Sequence, residues 1–162
     1  MSDRMPITAP GLKRLQEELK HLSGPERSKI AGEIEVARAH GDLRENAEYH
    51  AAKEKQGHIE GRIGHLNALI SNADVIDVSR FKGSDKVLFG ATVELLDGDS
   101  DKKVVYRIVG DFEADIKKRW ISVTSPVARG LIGKKVGDSA TIQSPGGVRE
   151  YEVLDVKYED AE

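Results

Sequence analysis

The sequence predicts an α+β protein in two parts: a long antiparallel α-helical coiled-coil hairpin, followed by a compact α+β domain with a mostly antiparallel sheet. Three observations predict it. Leucine and isoleucine recur at helical spacing through the first half. A short polar stretch, "HGDLRENAEYH" (residues 40–50), separates two such stripes. After Asp77 glycine, valine and threonine become frequent and the apolar period falls to two.

The first stripe is Leu12, Leu15, Leu19 and Leu22, at 3-4-3 spacing, the a/d pattern of a coiled-coil seam. It resumes at Ile30, Ile34 and Ala37, an eleven-residue step from Leu19 that local unwinding can absorb. Pro25 lies inside that step, where it either starts a new segment or kinks one long helix. Thr8, or Pro10 in the first turn, marks the start. The second stripe is Ile59, Ile63, Leu66, Ile70 and Ala73, preceded by the small residues Ala47, Ala51 and Ala52. Neither stripe is wide, so each helix is marginal alone, and the short link between them forces an antiparallel pair. From Leu12 to His40 such a helix would extend about 43 Å at roughly 1.5 Å per residue. The expected boundaries are 1–78 for the hairpin with its tip at 41–49, 79–85 ("SRFKGSD") for a linker, and 86–162 for the globular domain.

In that domain the expected strands are 86–89, 91–96, 104–109, 120–124, 139–143 and 150–158. "DGDSD" (97–101) and "SPGG" (144–147) are turn signals. "SPVARGLIG" (125–133) predicts a short helix with Ser125 as cap, Pro126 in the first turn and Gly133 as stop.

Composition narrows the function classes. The chain has 162 residues, 38% hydrophobic and 33% charged, so it is charge-rich without being compositionally disordered. Cysteine is absent, which removes disulfides, thiolate metal sites and thiol nucleophiles. The net charge of −3 is spread over both halves and implies no bulk attraction to nucleic acid. No stretch reads as a signal peptide or a membrane span, and a cytoplasmic protein is expected.

The tip is the candidate site. Asp42 and Glu45 are three apart, which puts both carboxylates on one side of a helical turn. Two hard oxygen donors suit Mg²⁺, which commonly takes one or two protein carboxylates and keeps several waters. They are too few for a cage, so the tip is half a metal site that needs a partner and a rigid arm. The plainer reading is a solvated turn with Asp42 capping a helix and Glu45 closing a capping box, and taken alone such a pair is more often a cap. Tyr49 adds an aromatic that could stack on a base. His40 and His50 flank the tip without a third ligand at zinc spacing.

The same residues resemble the Gre factors, the bacterial transcript cleavage factors that act on RNA polymerase. The stretch "HGDLRENAEYHAAKEKQGHIEGRI" (40–63) is similar to the family's tip and returning helix. "SNADVIDV" (71–78), "FGATVELL" (89–96), "YRIVGDFEAD" (106–115), "ISVTSPVARGLIGKKVGD" (121–138) and "PGGVREYEVLDVKY" (145–158) continue it in order. The resemblance implies a hairpin that enters the polymerase secondary channel and a globular domain with an FKBP-like fold that docks at the rim. It places the catalytic acidic pair on Asp42 and Glu45, sharing Mg²⁺ with the polymerase; no metal is expected in the isolated protein. It places tip or RNA contacts on Tyr49, Asn46 and Arg44, with Leu43, Arg44 and Asn46 shaping the loop or touching the channel, and a basic patch toward the nascent RNA 3′ end on Arg38 and Lys53. Pairing with Glu35 or Glu48 is the competing task for those two cations. Rim docking falls on Ser125, Pro126 and Val127, and the Lys117–Lys118–Arg119 run is either a further contact or a solvated turn. Isomerase activity is not expected, because fold does not carry function; Trp120, Phe89 and Phe112 are expected mostly in core packing. The implied function is stimulation of polymerase-dependent RNA cleavage by a monomer with no activity alone. The competing readings are a channel-binding paralogue that does not cleave, a branch that releases longer fragments through a larger basic patch, and a coiled-coil scaffold without chemistry.

Overall fold

The computed structural model describes residues 4–41 and 46–159. Chain contacts divide it into two units, and not at the expected place. One unit holds the described residues up to Leu12 together with those from Ala73 onward; the other is Lys13–Asn72. The hairpin is therefore an insertion between two segments of the globular unit.

Two short strands make that insertion. β1 (Met5–Ile7) and β2 (Ala73–Val75) pair in parallel, Met5 opposite Ala73 and Ile7 opposite Val75. Parallel neighbours need a long crossover, and here the crossover is the whole helical hairpin. A buried carboxylate secures the N-terminal segment. Glu113, 7% exposed, accepts hydrogen bonds from the backbone N–H groups of Thr8 (3.2 Å) and Gly110 (2.9 Å) and from the Thr8 hydroxyl. Thr8 Oγ1 in turn accepts from Gly11 N–H at 3.2 Å, capping α1 (Ala9–His21) as its sequence position predicts. The cradle leaves no room: a Cβ on Gly11 would stand 2.3 Å from Glu113 Oε1, and one on Gly110 would stand 2.5 Å from the Pro6 carbonyl.

In the hairpin unit α1 runs through a π-turn (Leu22–Glu26) into α2 (Arg27–Arg38), with helical backbone at both joins. Pro25 sits inside the π-turn, so of the two expected outcomes the chain remains one helix. The wider turn supplies the local unwinding that the eleven-residue step between Leu19 and Ile30 requires. α3 (Ala47–Ser71) returns. Ile30, Ile34, Ala52, Ile59 and Ile63 form the buried seam, flanked by Leu19, Leu22 and Tyr49. On α3 the stripe ends at Leu69 rather than Ile70; Leu69 is buried and Ile70 only half-buried. Two bidentate ion pairs fix the register: Arg27 on Glu60 (2.9 and 2.7 Å) and Arg62 on Glu18 (2.7 and 2.8 Å).

The globular unit carries a five-stranded sheet in the order β5-β4-β3-β7-β6. Its strands are β3 (Thr92–Asp97), β4 (Lys103–Val109), β5 (Trp120–Ser122), β6 (Ser139–Ser144) and β7 (Gly147–Lys157). All pairs are antiparallel except β4 with β5. Val93, Leu95, Ile108 and Val153 alternate onto one face, where Ala128 and Leu131 of α4 (Pro126–Leu131) complete a fully buried core. This is the expected α+β class, with the expected mostly antiparallel sheet packed on a short helix.

Two expectations need correction. Residues 86–89 form no strand: Lys86 makes a single bridge to Lys135, and Val87 N–H bonds the Lys134 carbonyl. Gly90, at φ +88°, turns the chain before the sheet begins. Residues 79–85 are not a free linker, because a 3₁₀ turn (Val78–Phe81) buries Val78 and sets Phe81 edge-on to Tyr158, ring centroids 5.6 Å apart.

Candidate functional site: the hairpin tip

The tip is built by terminating two helices that face each other. α2 tightens at its end: Ala39 N–H is shared between the Glu35 and Val36 carbonyls, His40 N–H reaches Ala37 and Gly41 N–H reaches Arg38. Gly41 then takes φ +108°, a conformation that L side chains avoid, and the helix stops. α3 begins at Asn46, which is extended (φ −82°, ψ 96°) and caps the helix: its Oδ1 accepts from Tyr49 N–H at 3.0 Å. Its Nδ2 donates across the hairpin to the Ala37 carbonyl at 2.6 Å. One side chain thus starts α3 and ties it to the last turn of α2.

Asp42, Leu43, Arg44 and Glu45 lie outside the described residues. What the structure places is their frame. Asn46 has both ends of its amide engaged, which gives it the loop-shaping task that is one of the two expected of it. Its sequence signal was an Asn just before a helical pattern. Tyr49 is half-buried against the seam, its ring centroid 5.7 Å from that of His50, where the sequence promised little core to receive it. Arg38 is exposed at the last residue of α2. Lys53 is exposed and donates to Gln56 Oε1 at 3.1 Å. His40 and His50 are both exposed. Below the tip α2 and α3 leave an open groove of about 670 Å³, floored by Val36, Ala37, Ala51 and Ala52 and edged by Glu33, Glu48 and Lys55. No group of three or more His, Cys, Asp or Glu side chains that could hold a metal occurs among the described residues.

The expected docking residues sit at the start of α4. Ser125 Oγ accepts from Ala128 N–H at 3.2 Å, Val127 packs on the core, and Pro126 is exposed. Ser125 and Val127 therefore have local structural tasks and are half-buried, and Pro126 is the most exposed of the trio. Of the three aromatics, Phe89 packs on the core, Phe112 is 45% exposed, and Trp120 lies under Arg107 and Lys118. Among the described residues no helix is long and apolar enough to cross a membrane.

Comparison with known proteins covers both units. The family profile "Transcription elongation factor, N-terminal" matches residues 5–75, and "Transcription elongation factor, GreA/GreB, C-term" matches residues 82–158. The chain is 57% identical over 159 residues to a protein named transcription elongation factor GreA from Anaeromyxobacter sp. (strain K), covering 98% of this chain and 95% of that one. It is 54% identical over 155 residues to the protein of the same name from Alkalilimnicola ehrlichii, covering 96% and 98%. Among solved structures, a GreA factor homolog 1 from Thermus thermophilus is 25% identical over 94% of this chain and 98% of its own, with a TM-score of 0.43. With both profiles matched in order and full-length relatives above half identity, the chain belongs to the GreA/GreB family of transcription elongation factors.

Proposed function

We propose that this elongation factor acts by carrying the acidic pair Asp42 and Glu45 through the secondary channel of RNA polymerase to an active site whose RNA has backtracked. There it stimulates endonucleolytic cleavage of the RNA 3′ end and leaves a new 3′-OH in register for synthesis. The observation that carries the reading is the tip itself: a narrow two-helix arm whose ends are locked together by Asn46 around the segment that holds both carboxylates.

The donor set fits Mg²⁺ held jointly with the polymerase. Two carboxylates three residues apart offer hard oxygens and leave the rest of an octahedral shell to waters and partner groups. Bound there, the ion would supply charge stabilisation for the phosphodiester and a more acidic water. The chain's own residues have simpler tasks. Asp42 and Glu45 hold ligand positions and accept hydrogen bonds from the attacking water, orienting it. The slender end of the hairpin, with Ala37, Ala51 and Ala52 between the helices, admits the arm to a confined channel. Tyr49 and the cations Arg38, Lys53 and Arg44 face the extruded RNA segment, while Ser125, Pro126 and Val127 dock at the rim. The factor works as a cytoplasmic monomer and contributes half a site, so it has no nuclease activity alone.

Naked RNA and a backtracked polymerase complex holding the same RNA test this together. Each is incubated with the factor and Mg²⁺. The expected result is short 3′ fragments from the complex and none from free RNA. Robust hydrolysis of free RNA would show a complete active site in the chain and overturn the shared one.

A further inference from the structure

The groove below the tip is apolar, open and unused by the tip chemistry. Gly32, Glu33 and Val36 line it on α2, and Glu48, Ala51 and Lys55 on α3. Val36, 63% exposed, is the one large apolar side chain left in water among the described residues of Lys13–Asn72. Gly32 lies one turn before it on the same face, and a Cβ there would meet nothing within 4 Å. Glycine inside a helix is less favourable than alanine, so the isolated arm would gain stability from a side chain at this position. The groove thus holds a knob and a hole side by side: a valine with nothing to cover it, and unfilled space one turn away.

Charge is arranged in the same self-complementary way. Glu48, in the first turn of α3, stands at the tip end of the groove. Lys55 stands at the other end, beside Glu33 at 4.0 Å. The two are seven residues apart on one side of α3, about 10 Å at roughly 1.5 Å per residue. A two-fold contact uses the same patch twice, so it needs knob with hole and acid with base inside one patch. Two arms laid antiparallel, groove to groove, meet that condition. α2 then faces the other α2, with each Val36 over the other copy's Gly32, and α3 faces the other α3, with each Glu48 against the other copy's Lys55. Arms laid in the same direction would instead gather both Glu48 side chains at one end. The Lys55–Glu33 contact given up is long and solvent-exposed, so its loss costs little.

We propose that two copies of this chain associate through the groove, arms antiparallel, Val36 of each seated on Gly32 of the other and Glu48 of each paired with Lys55 of the other. The patch is a handful of residues per copy, against roughly 20–30 a side in a standard stable interface, so the association is weak and reversible. Two arms face to face are twice as thick as one. The pair is therefore an idle store that cannot enter a confined channel, and the monomer is the working species. That consequence rests on the channel entry proposed above; the association itself does not.

The test is sedimentation equilibrium of the full chain alone, without polymerase, at concentrations up to about 1 mM, where even weak association registers. Wild type should rise in mean mass toward the dimer as concentration increases. Gly32→Ala should fill the hole and weaken association roughly tenfold, while melting higher than wild type because the space is open and alanine favours helix. A gain in stability beside a loss of association separates the contact from the fold. Val36→Asp should weaken association at least as much. Glu48→Lys should weaken it several-fold by setting like charges together, and Glu48→Lys/Lys55→Glu should restore it. Wild type that stays monomeric throughout overturns the proposal, as does association left unchanged by Gly32→Ala and Val36→Asp. Failure of the double variant to restore association overturns the antiparallel arrangement. Monomeric wild type with Gly32→Ala weaker on polymerase would make polymerase the occupant of the groove, which overturns this proposal and leaves the proposed function standing. Association as expected, with no cleavage in a backtracked complex, overturns the proposed function and leaves this one.

Discussion

In the globular unit Val93, Leu95, Ile108, Leu131 and Val153 have no exposed surface and close on one another from a sheet and a helix. In the hairpin Ile30, Ile34, Ala52, Ile59 and Ile63 lie along a single seam, and Val36, next to the seam residue Ala37, is 63% exposed. The same apolar chemistry gives a three-dimensional core in one place and a line in the other. A core tolerates no local collapse, whereas a seam can close a gap by a small shift of one helix. A seam also leaves little to fix its far end, so the tip depends on hydrogen bonds and caps rather than on burial.

Equal truncations should break that comparison most visibly. Leu95→Ala is expected to cost about 4 kcal/mol, near the upper part of the range for buried leucine, because sheet and α4 cannot close the cavity. Ile30→Ala should cost about 2 kcal/mol, because α2 and α3 can approach. Trp120 fluorescence follows the globular unit and helical circular dichroism is dominated by the hairpin. The first variant should lower chiefly the fluorescence midpoint and the second chiefly the helical one. Equal shifts in both probes for both variants would mean one cooperative unit and one kind of core.

A smaller effect sharpens the account of the tip. Asn46→Asp keeps the acceptor for Tyr49 N–H and places a favourable negative charge at the start of α3. It removes the donor to the Ala37 carbonyl and sets two oxygens against it. The expected cost is about 1 kcal/mol of hairpin stability, the usual worth of one such bond. Fragment release at saturating factor should fall several-fold with polymerase affinity unchanged. Asn46→Ser, which can still cap but is too short to bridge, should behave likewise. Wild-type release from both variants would reduce Asn46 to an ordinary cap.

The smallest effect is on pH. The Arg62 hydrogen bonds hold the Glu18 carboxyl below the usual range, and those of Arg27 do the same for Glu60. A carboxyl with a lowered folded pKa stabilises the fold fully above its unfolded value, about 4.3 for glutamate, and loses that contribution as pH falls through the folded value. Both pairs are largely solvent-exposed, so the loss is modest. Acid titration of helical signal from pH 6 to pH 2 should show part of its slope removed in Glu18→Gln/Glu60→Gln. An unchanged slope would show that these pairs set register without contributing to stability.

The two regions also differ in how openly the sequence announces them. The hairpin was legible because a repeating leucine and isoleucine stripe has one physical solution, and Thr8 and Ser125 are caps where their positions predict. The strands β1 and β2 were not legible. Three residues each, one containing Pro6, they show no alternation, and the carboxylate that holds the residue after β1, Glu113, lies 105 positions from it in sequence. Without them the division into units could not be read. The segment 86–89 has strand composition, but its partner is the turn at 133–135, met through one isolated bridge from Lys86 to Lys135 and the backbone bonds of Val87. At the site, Asp42 and Glu45 stood out by spacing, whereas the clamp by Asn46 needed a carbonyl on the opposite helix that no local pattern reveals.

The most direct measurement is release of 3′ fragments from a backtracked polymerase complex at saturating factor, for wild type and Asp42→Asn, with polymerase affinity determined on the same samples. The account predicts equal affinity and loss of fragment release in the variant. Equal affinity with equal release would contradict it, leaving an arm that occupies the channel and contributes no chemistry.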